Sequence, residues 1–339
     1  MLSNVKTTNG LARIILFTAP IIIVSVIFLS IAYGAKGITL ATIWEAFTAY
    51  NEEDVNHAII MTSRLPRVLS ALLVGAFLAI SGAIMQGMTR NYLASPSIMG
   101  VTDGSAFVIT ICMVFMPELP SISMILFSML GSAIGAGIVY GFGSLIKGGL
   151  SPVRLAIIGT VIGTFLSSMS AAIASYFQVS QNVSFWYNAK LHQADPDVFL
   201  MALPFGLVGL ILAIIVANGI TILSLGEEVS VTLGQRTRMV KVLSMLSVIC
   251  LTGTAVALVG KIGFVGLIVP HITRFLVGVD YKVLIPCAGI IGGVFLALCD
   301  ILSRFVNAPF ETPIGVITSL IGVPFFLYLI RTRGGGRHA

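Results

Sequence analysis

Long apolar stretches separated by short polar segments run along almost the whole chain. A membrane-spanning helix needs about 20 apolar residues, and about ten stretches approach or reach that length. We therefore predict an all-α polytopic membrane protein with about ten transmembrane helices in a single transmembrane domain, residues 1–339. Proline interrupts the third and eighth spans. The predicted spans are 12–34, 65–86, 93–116, 121–146, 155–177, 199–223, 240–259, 263–277, 284–303 and 314–330.

The composition supports this class and excludes a domain that folds in water. Of 339 residues, 57% are hydrophobic and 9% are charged, whereas soluble domains carry roughly 25% charged residues. With a cytoplasmic N terminus, most lysines and arginines fall on the cytoplasmic side, so we predict that both termini lie there. The net charge of +6 reflects this bias. We therefore predict contact with membrane lipid and no nucleic-acid partner.

The second and seventh spans share a pattern of small residues. Gly, Ala and Gly stand at 75, 79 and 82, and again at 253, 257 and 260. Each set precedes an interrupted segment, and the two spans cross the membrane in opposite directions. This predicts an inverted repeat, an architecture common in transporters. Close packing of neighbouring helices on small residues is the alternative explanation.

Three arginines stand at the predicted outer ends of spans. Arg64 and Arg67 share one helix face because they are three residues apart, and Pro66 favours a helix start beside them. Arg304 follows the ninth span. These side chains can anchor helix ends at the interface or bind carboxylates through the planar guanidinium group. Asp300, four residues before Arg304, can also pair with it inside the helix.

A polar segment interrupts the apolar pattern at about residues 224–238. Ser224 and Glu227 fit a capping box at a helix start, and Gly234 fits a helix stop. We therefore predict a short cytoplasmic helix in this segment. Its candidate functional residues are Gly226, Glu227, Glu228, Leu233 and Gly234.

The fifth span carries small and polar side chains within about one 100° arc of the helix. Such a stripe faces protein or water and not lipid. It either packs against other helices or lines a translocation path with hydroxyl groups that carry no fixed charge. The stripe contains Thr160, Thr164, Ser167, Ser168, Ala171 and Ser175.

Signals for metal binding, ATP hydrolysis and ion coupling are missing. His271 has no second histidine or cysteine at ligand spacing, so we predict no metal site and no cofactor. Lys261 follows a glycine but precedes isoleucine, which excludes a phosphate-binding loop, and we predict no enzyme activity. Asp103 and Asp300 are the only acids near span interiors, whereas ion-coupled carriers usually place ionisable relays there.

Several segments together resemble the FecCD family of ABC importer permeases, which take up iron–siderophores, haem or cobalamin. The resemblance covers most of the chain, from about Arg64 to Arg333. It implies the type II ABC importer permease fold with an inverted repeat. The matching segments are RLPR at 64–67, RNYLASPSIMG at 90–100, GFVGLIVPH at 263–271 and ETPIGVIT at 311–318.

The resemblance also implies roles and partners. Arginines matching Arg64, Arg67 and Arg304 receive glutamates of an extracytoplasmic substrate-binding protein. The segment 224–238 matches the coupling helix that contacts the ATPase, and the fifth span lines the translocation path. The implied assembly is a homo- or heterodimer with a second permease, joined by two ATP-binding subunits, in a bacterial cell membrane. The implied cargo is a ferric siderophore, with cobalamin or haem as alternatives. An ion-coupled secondary transporter is the rival class.

Overall fold

The computed structural model describes residues 2–34, 37–145, 152–189, 191, 195–307 and 310–334. These residues form fourteen α-helices and one π-helical turn, Ile60–Arg64. The helices are α1 (Leu2–Ala32), α2 (Leu40–Thr48), α3 (Val55–Ile59), α4 (Leu65–Thr89), α5 (Val101–Phe115), α6 (Ser121–Leu145), α7 (Pro152–Tyr176), α8 (Ser180–Ala189), α9 (Pro196–Ser224), α10 (Glu227–Thr232), α11 (Thr237–Val259), α12 (Val265–Val277), α13 (Tyr281–Ser303) and α14 (Ile314–Gly334).

Ten apolar helical segments correspond to the ten predicted spans, which confirms the fold class. Within the described residues, seven are long and apolar enough to cross a membrane: α1, the continuous segment from α3 to α4, α6, α7, α9, α11 and α13. The shorter apolar helices are α5, α12 and α14. The connecting helices α2, α3 and α8 were not predicted, since short helices carry too few residues for a clear periodic pattern.

Two predicted span boundaries were wrong. Residues 91–100 are not helical, and α5 begins only after Gly100, which has a left-handed φ of 73°. The second span is helical from Val55, because α3, the π-helical turn and α4 are continuous. Pro66 therefore lies inside a longer helical segment instead of beginning it. The predicted end of the fourth span at 146 lies outside the described residues.

The centre of the bundle is α4, which packs against α13, α11, α12 and α9. Its glycines allow backbones to touch. A Cβ added to Gly75 would lie 2.2 Å from the carbonyl oxygen of Gly292 on α13, and one added to Gly82 would lie 1.8 Å from that of Gly266 on α12. Any side chain at these positions would separate the helices.

The pattern of helix contacts agrees with the predicted inverted repeat. The α4–α13 pair, which joins the two halves, corresponds to the α11–α6 pair, which also joins them, and α5–α6 in the first half corresponds to α12–α13 in the second. Gly253 of α11 lies against Met129 of α6, as Gly75 lies against α13. The repeated spacing therefore marks close helix packing in both halves, so the two explanations of the pattern are compatible.

Candidate functional site

Arg67 and Arg304 both bind Asp300, and Arg64 lies near these two arginines. We call the three arginines, Asp300 and Glu311 the arginine cluster. Arg67 donates to Asp300 Oδ1 from Nε at 3.0 Å and from Nη2 at 2.8 Å, and its Nη1 donates to Glu311 Oε1 at 2.8 Å. Arg304 donates to the second carboxylate oxygen of Asp300. All three arginines are buried, and Asp300 is only 1% exposed. Asp300 therefore pairs with Arg304, as the sequence suggested, and it also pairs with Arg67.

Two of these arginines also hold the end of α1. Arg304 Nη1 donates to the carbonyl oxygens of Ser30 and Tyr33 at 2.8 and 2.9 Å, and Arg64 donates to that of Ile31. The last carbonyls of a helix lack partners within the helix, and a cation is favourable there. Burial lowers the pKa of Arg304, while Asp300 opposes that shift. Guanidinium groups nevertheless stay charged in proteins.

The short helix α10 begins differently from the prediction. Its N-cap is Gly226, whose φ is 134°, and no side chain caps it. Ser224 is instead the last residue of α9, and its hydroxyl donates to the carbonyl of Thr221 at 2.7 Å. The capping-box interpretation was therefore wrong, because the hydroxyl is already used inside the preceding helix.

The end of α10 agrees with the prediction. Gly234 has a φ of 76°. Its N–H donates to Val231 O at 2.9 Å, and the Gln235 N–H donates to Ser230 O at 3.0 Å. These two bonds form a Schellman motif. The Gln235 side chain donates to Gly219 O on α9 at 2.9 Å, so α10 is fixed to α9.

An apolar surface remains exposed on and beside α10. Leu225, Val229 and Leu233 follow each other at four-residue intervals, and each is exposed. Glu227 on the same helix pairs with Lys241 of α11 at 2.6 Å. Large exposed apolar side chains grouped beside charges are typical of a protein–protein contact.

The polar stripe of the fifth span lies on α7 and faces away from the core of this chain. Most of its members are exposed, whereas Leu166, Ser170 and Ala174, which lie on an adjoining strip of α7, are buried. Apart from Ser167, which binds Asp103, the stripe therefore does not serve as packing within this chain. It borders an open recess of about 550 Å³, which we call the α7 recess. The recess is lined by Ser97, Ile98, Asp103, Thr160, Gly163, Thr164, Ser167, Ser168 and Ala171.

The structure shows one charged contact at the α7 recess that the sequence does not predict. Lys261, between α11 and α12, donates to Asp103 Oδ1 at 2.7 Å. The two residues are 158 positions apart, and only the folded chain brings them together. Asp103 had been singled out as an acid within a span, but its partner carried no local signal.

His271 lies in an aromatic environment. Its ring centroid is 6.4 Å from that of Tyr92 and 6.1 Å from that of Phe325. The described part of the chain contains no group of three histidine, cysteine or acidic side chains that could hold a metal ion. The contacts of His271 are those of a packed side chain.

Ten apolar helical segments, a polar recess and an exposed short helix define a multi-pass membrane transport protein. Residues 21–332 match the FecCD transport family. The chain therefore belongs to the FecCD transport family and is the permease subunit of an ABC transporter. This membership excludes the rival ion-coupled carrier and leaves ATP hydrolysis to another subunit.

Individual relatives agree with this assignment. The chain is 57% identical over 323 residues to the iron-uptake system permease protein FeuB of Bacillus subtilis, which covers 95% of this chain and 97% of FeuB. It is 52% identical over 309 residues to the iron(3+)-hydroxamate import system permease protein FhuB of the same organism, covering 91% and 80%. A solved structure of a metal-chelate type ABC transporter in an inward-facing conformation matches with a TM-score of 0.78 at 29% identity, covering 94% of this chain and 99% of that one.

The arginine cluster predicts an uneven response to the loss of its two carboxylates. Asp300→Asn should lower the free energy of unfolding by about 3–5 kcal/mol, because it leaves two buried guanidinium groups without their shared counter-charge. Glu311→Gln, at a side chain 44% exposed, should cost at most about 1 kcal/mol. Thermal unfolding of the purified variants in lipid nanodiscs measures both. Equal losses would contradict the central role of Asp300.

Proposed function

We propose that this chain is the permease of an ATP-driven importer that carries ferric siderophores across a bacterial cell membrane, with both termini in the cytoplasm. The observation that carries the cargo is the identity above 50% to two permeases named for iron uptake and iron(3+)-hydroxamate import. The α7 recess supports this function, since its hydroxyl and small side chains suit a bulky polar chelate that must not remain bound. Iron crosses inside its chelator, as cargo and not as a resident metal.

The exposed stripe of α7 indicates how the pore forms. A polar stripe in a membrane helix avoids lipid, and the rest of this chain does not cover it. A second permease, identical or homologous, faces the stripe across the translocation path. The single transmembrane permease domain of each chain then supplies half of the path, with Thr160, Thr164, Ser167, Ser168, Ala171 and Ser175 along its wall.

The arginine cluster is the docking site for the extracytoplasmic substrate-binding protein. Arg67 already binds the half-exposed Glu311, which occupies the place that an incoming glutamate would take. The Nε of Arg304 is buried and has no hydrogen-bond partner within the described residues. Arg64 completes the group. Exchange of Glu311 for a partner carboxylate would let the cluster respond to docking without changing its net charge.

Helix α10 is the coupling helix for the two ATP-binding subunits. Val229 and Leu233 supply the apolar contact, and Gly226 and Gly234 give the sharp turns at its ends. Glu227 and Glu228 supply polar contacts at its first turn. Because Gln235 fixes α10 to α9, movement of the ATPase would pass directly into a membrane-spanning helix.

ATP-driven import is tested with Leu233→Glu. Proteoliposomes containing the permease, its ATPase and the binding protein should accumulate ⁵⁵Fe-siderophore only when ATP is supplied on the side of the membrane where the ATPase subunits are bound. Leu233→Glu should lower uptake and ATPase co-purification at least tenfold, because a buried carboxylate would replace an apolar contact. Leu233→Met keeps the apolar character and should retain both. Uptake by wild-type protein without ATP would contradict the proposed function.

Docking is tested with Arg64→Gln, because that arginine is not bonded to Asp300. The variant should bind the substrate-binding protein at least tenfold more weakly, by surface plasmon resonance on nanodiscs. Glu311→Gln should bind at least as tightly as wild type, since it removes a competing carboxylate. Thermal unfolding confirms that both variants are folded. Unchanged affinity of a folded Arg64→Gln protein would remove this arginine from the docking site.

The translocation path is tested by cysteine labelling in a variant without the four native cysteines. Thr164→Cys and Ser168→Cys should react with a membrane-impermeant maleimide in at least one transport state. Leu166→Cys and Ala174→Cys, on the buried side of α7, should react at least tenfold more slowly. Equal labelling on both sides of α7 would show that the stripe does not border a separate aqueous path.

A further inference from the structure

A charged pair lies against Ser167 of α7, and its acid belongs to the apolar helix α5, where charges are costly. Lys261 Nζ donates to Asp103 Oδ1 at 2.7 Å and to Ser167 Oγ at 2.9 Å, and the Ser167 hydroxyl donates to Asp103 Oδ1 at 3.0 Å. Ionisable groups inside membrane spans are expensive and usually mark function. We call Asp103, Ser167 and Lys261 the charged station.

Several elements from both halves of the repeat build this station. Asp103 lies in the first turn of α5, Ser167 lies on α7, and Lys261 lies in the short connection between α11 and α12. Gly163 of α7 makes room for the acid, because an added Cβ there would lie 2.5 Å from Asp103 Oδ2. The Tyr187 ring of α8 lies beside the ammonium, with its centroid 5.2 Å from Nζ.

The charged station differs from the arginine cluster in its exposure. The side chains of Lys261 and Asp103 are 27% and 20% exposed, whereas Asp300 is closed off. Asp103 and Ser167 line the α7 recess. An ammonium group has three hydrogens, and two of them are donated to these oxygens. The station therefore holds a cation bound to two side chains that line the recess, and these two bonds leave one of its three hydrogens.

Building on the proposed function, we propose that the charged station is a specificity-determining contact for anionic ferric chelates. The Lys261 ammonium binds negatively charged oxygen atoms at the surface of a passing chelate, such as a ferric triscatecholate. Asp103 holds the ammonium between passages and cancels its charge. Without that cancellation, a fixed cation in a site of low dielectric would retain a multiply charged anion. The pair thus attracts the cargo without trapping it.

Charge variants separate this role from a purely structural one. Equilibrium binding to the permease–ATPase complex in nanodiscs would be measured with ferric triscatecholate, which is anionic, and with ferric trihydroxamate of neutral or low charge. Asp103→Asn should bind the triscatecholate at least tenfold more tightly, because the ammonium loses its counter-charge. Lys261→Gln should bind it at least tenfold more weakly, and Lys261→Arg should resemble wild type. Trihydroxamate binding should change less than threefold in every variant.

The controls distinguish the possible failures. Parallel changes for both chelates, or no change in folded variants, would overturn the charged station as a specificity determinant. If Asp103→Asn does not fold, the ratio of triscatecholate to trihydroxamate affinity in Lys261→Gln decides the question. Wild-type ATP-dependent uptake is measured in the same preparations. Wild-type uptake with charge-insensitive binding would overturn only this inference, whereas absent wild-type uptake of any ferric chelate would contradict the proposed function itself.

Discussion

Backbone contact along α4 is the constraint on which the rest of the structure depends. Lipid tails are as apolar as the side chains that face them, so apolar burial alone does not hold membrane helices together. Packing must then come from close approach, and Gly75 and Gly82 bring the backbones of α13 and α12 against α4. With those contacts fixed, Arg67 on α4 reaches Asp300 on α13. The arginine cluster thus forms where it does because these glycines bring α4 and α13 close together.

Charged side chains are held in different ways in two regions of the molecule. Around Asp300, two guanidinium groups share one enclosed carboxylate, and the remaining donors bind main-chain oxygens of α1. That cluster joins α1, α4 and α13 and has a clear structural purpose. Around Asp103, the pair is partly exposed, and its acid lines the α7 recess. A partly exposed pair gains less stability from its contact than an enclosed pair does, so its presence calls for a functional explanation.

Much of this architecture could be predicted from the chain alone, because bilayer thickness imposes a length on each apolar run. The ten spans, the repeated glycine spacing and the turn at Gly234 all rest on local rules. Ser224 could not be interpreted correctly, since its hydroxyl can bond inside α9 as readily as it can cap α10. The contact of Lys261 with Asp103 depends on the packing of four elements. No local sequence pattern indicates such a contact, and none indicates that Arg67 and Arg304 share Asp300.

The ends of the molecule are connected through α13. Asp300 near its C-terminal end belongs to the arginine cluster, whereas Tyr281 at its N-terminal end donates its N–H to Thr221 of α9 at 2.9 Å. Two residues before Thr221, the carbonyl oxygen of Gly219 on α9 accepts the Gln235 hydrogen bond that fixes α10. Helices are stiff along their axes, and each of these junctions is a direct hydrogen bond. A displacement of α13 caused by the proposed exchange of carboxylates in the arginine cluster would therefore reach α10 through the Thr221 hydroxyl and the Gln235 side-chain amide. The same contacts would carry a movement of α10 back to the arginine cluster, as reciprocal coupling between sites requires.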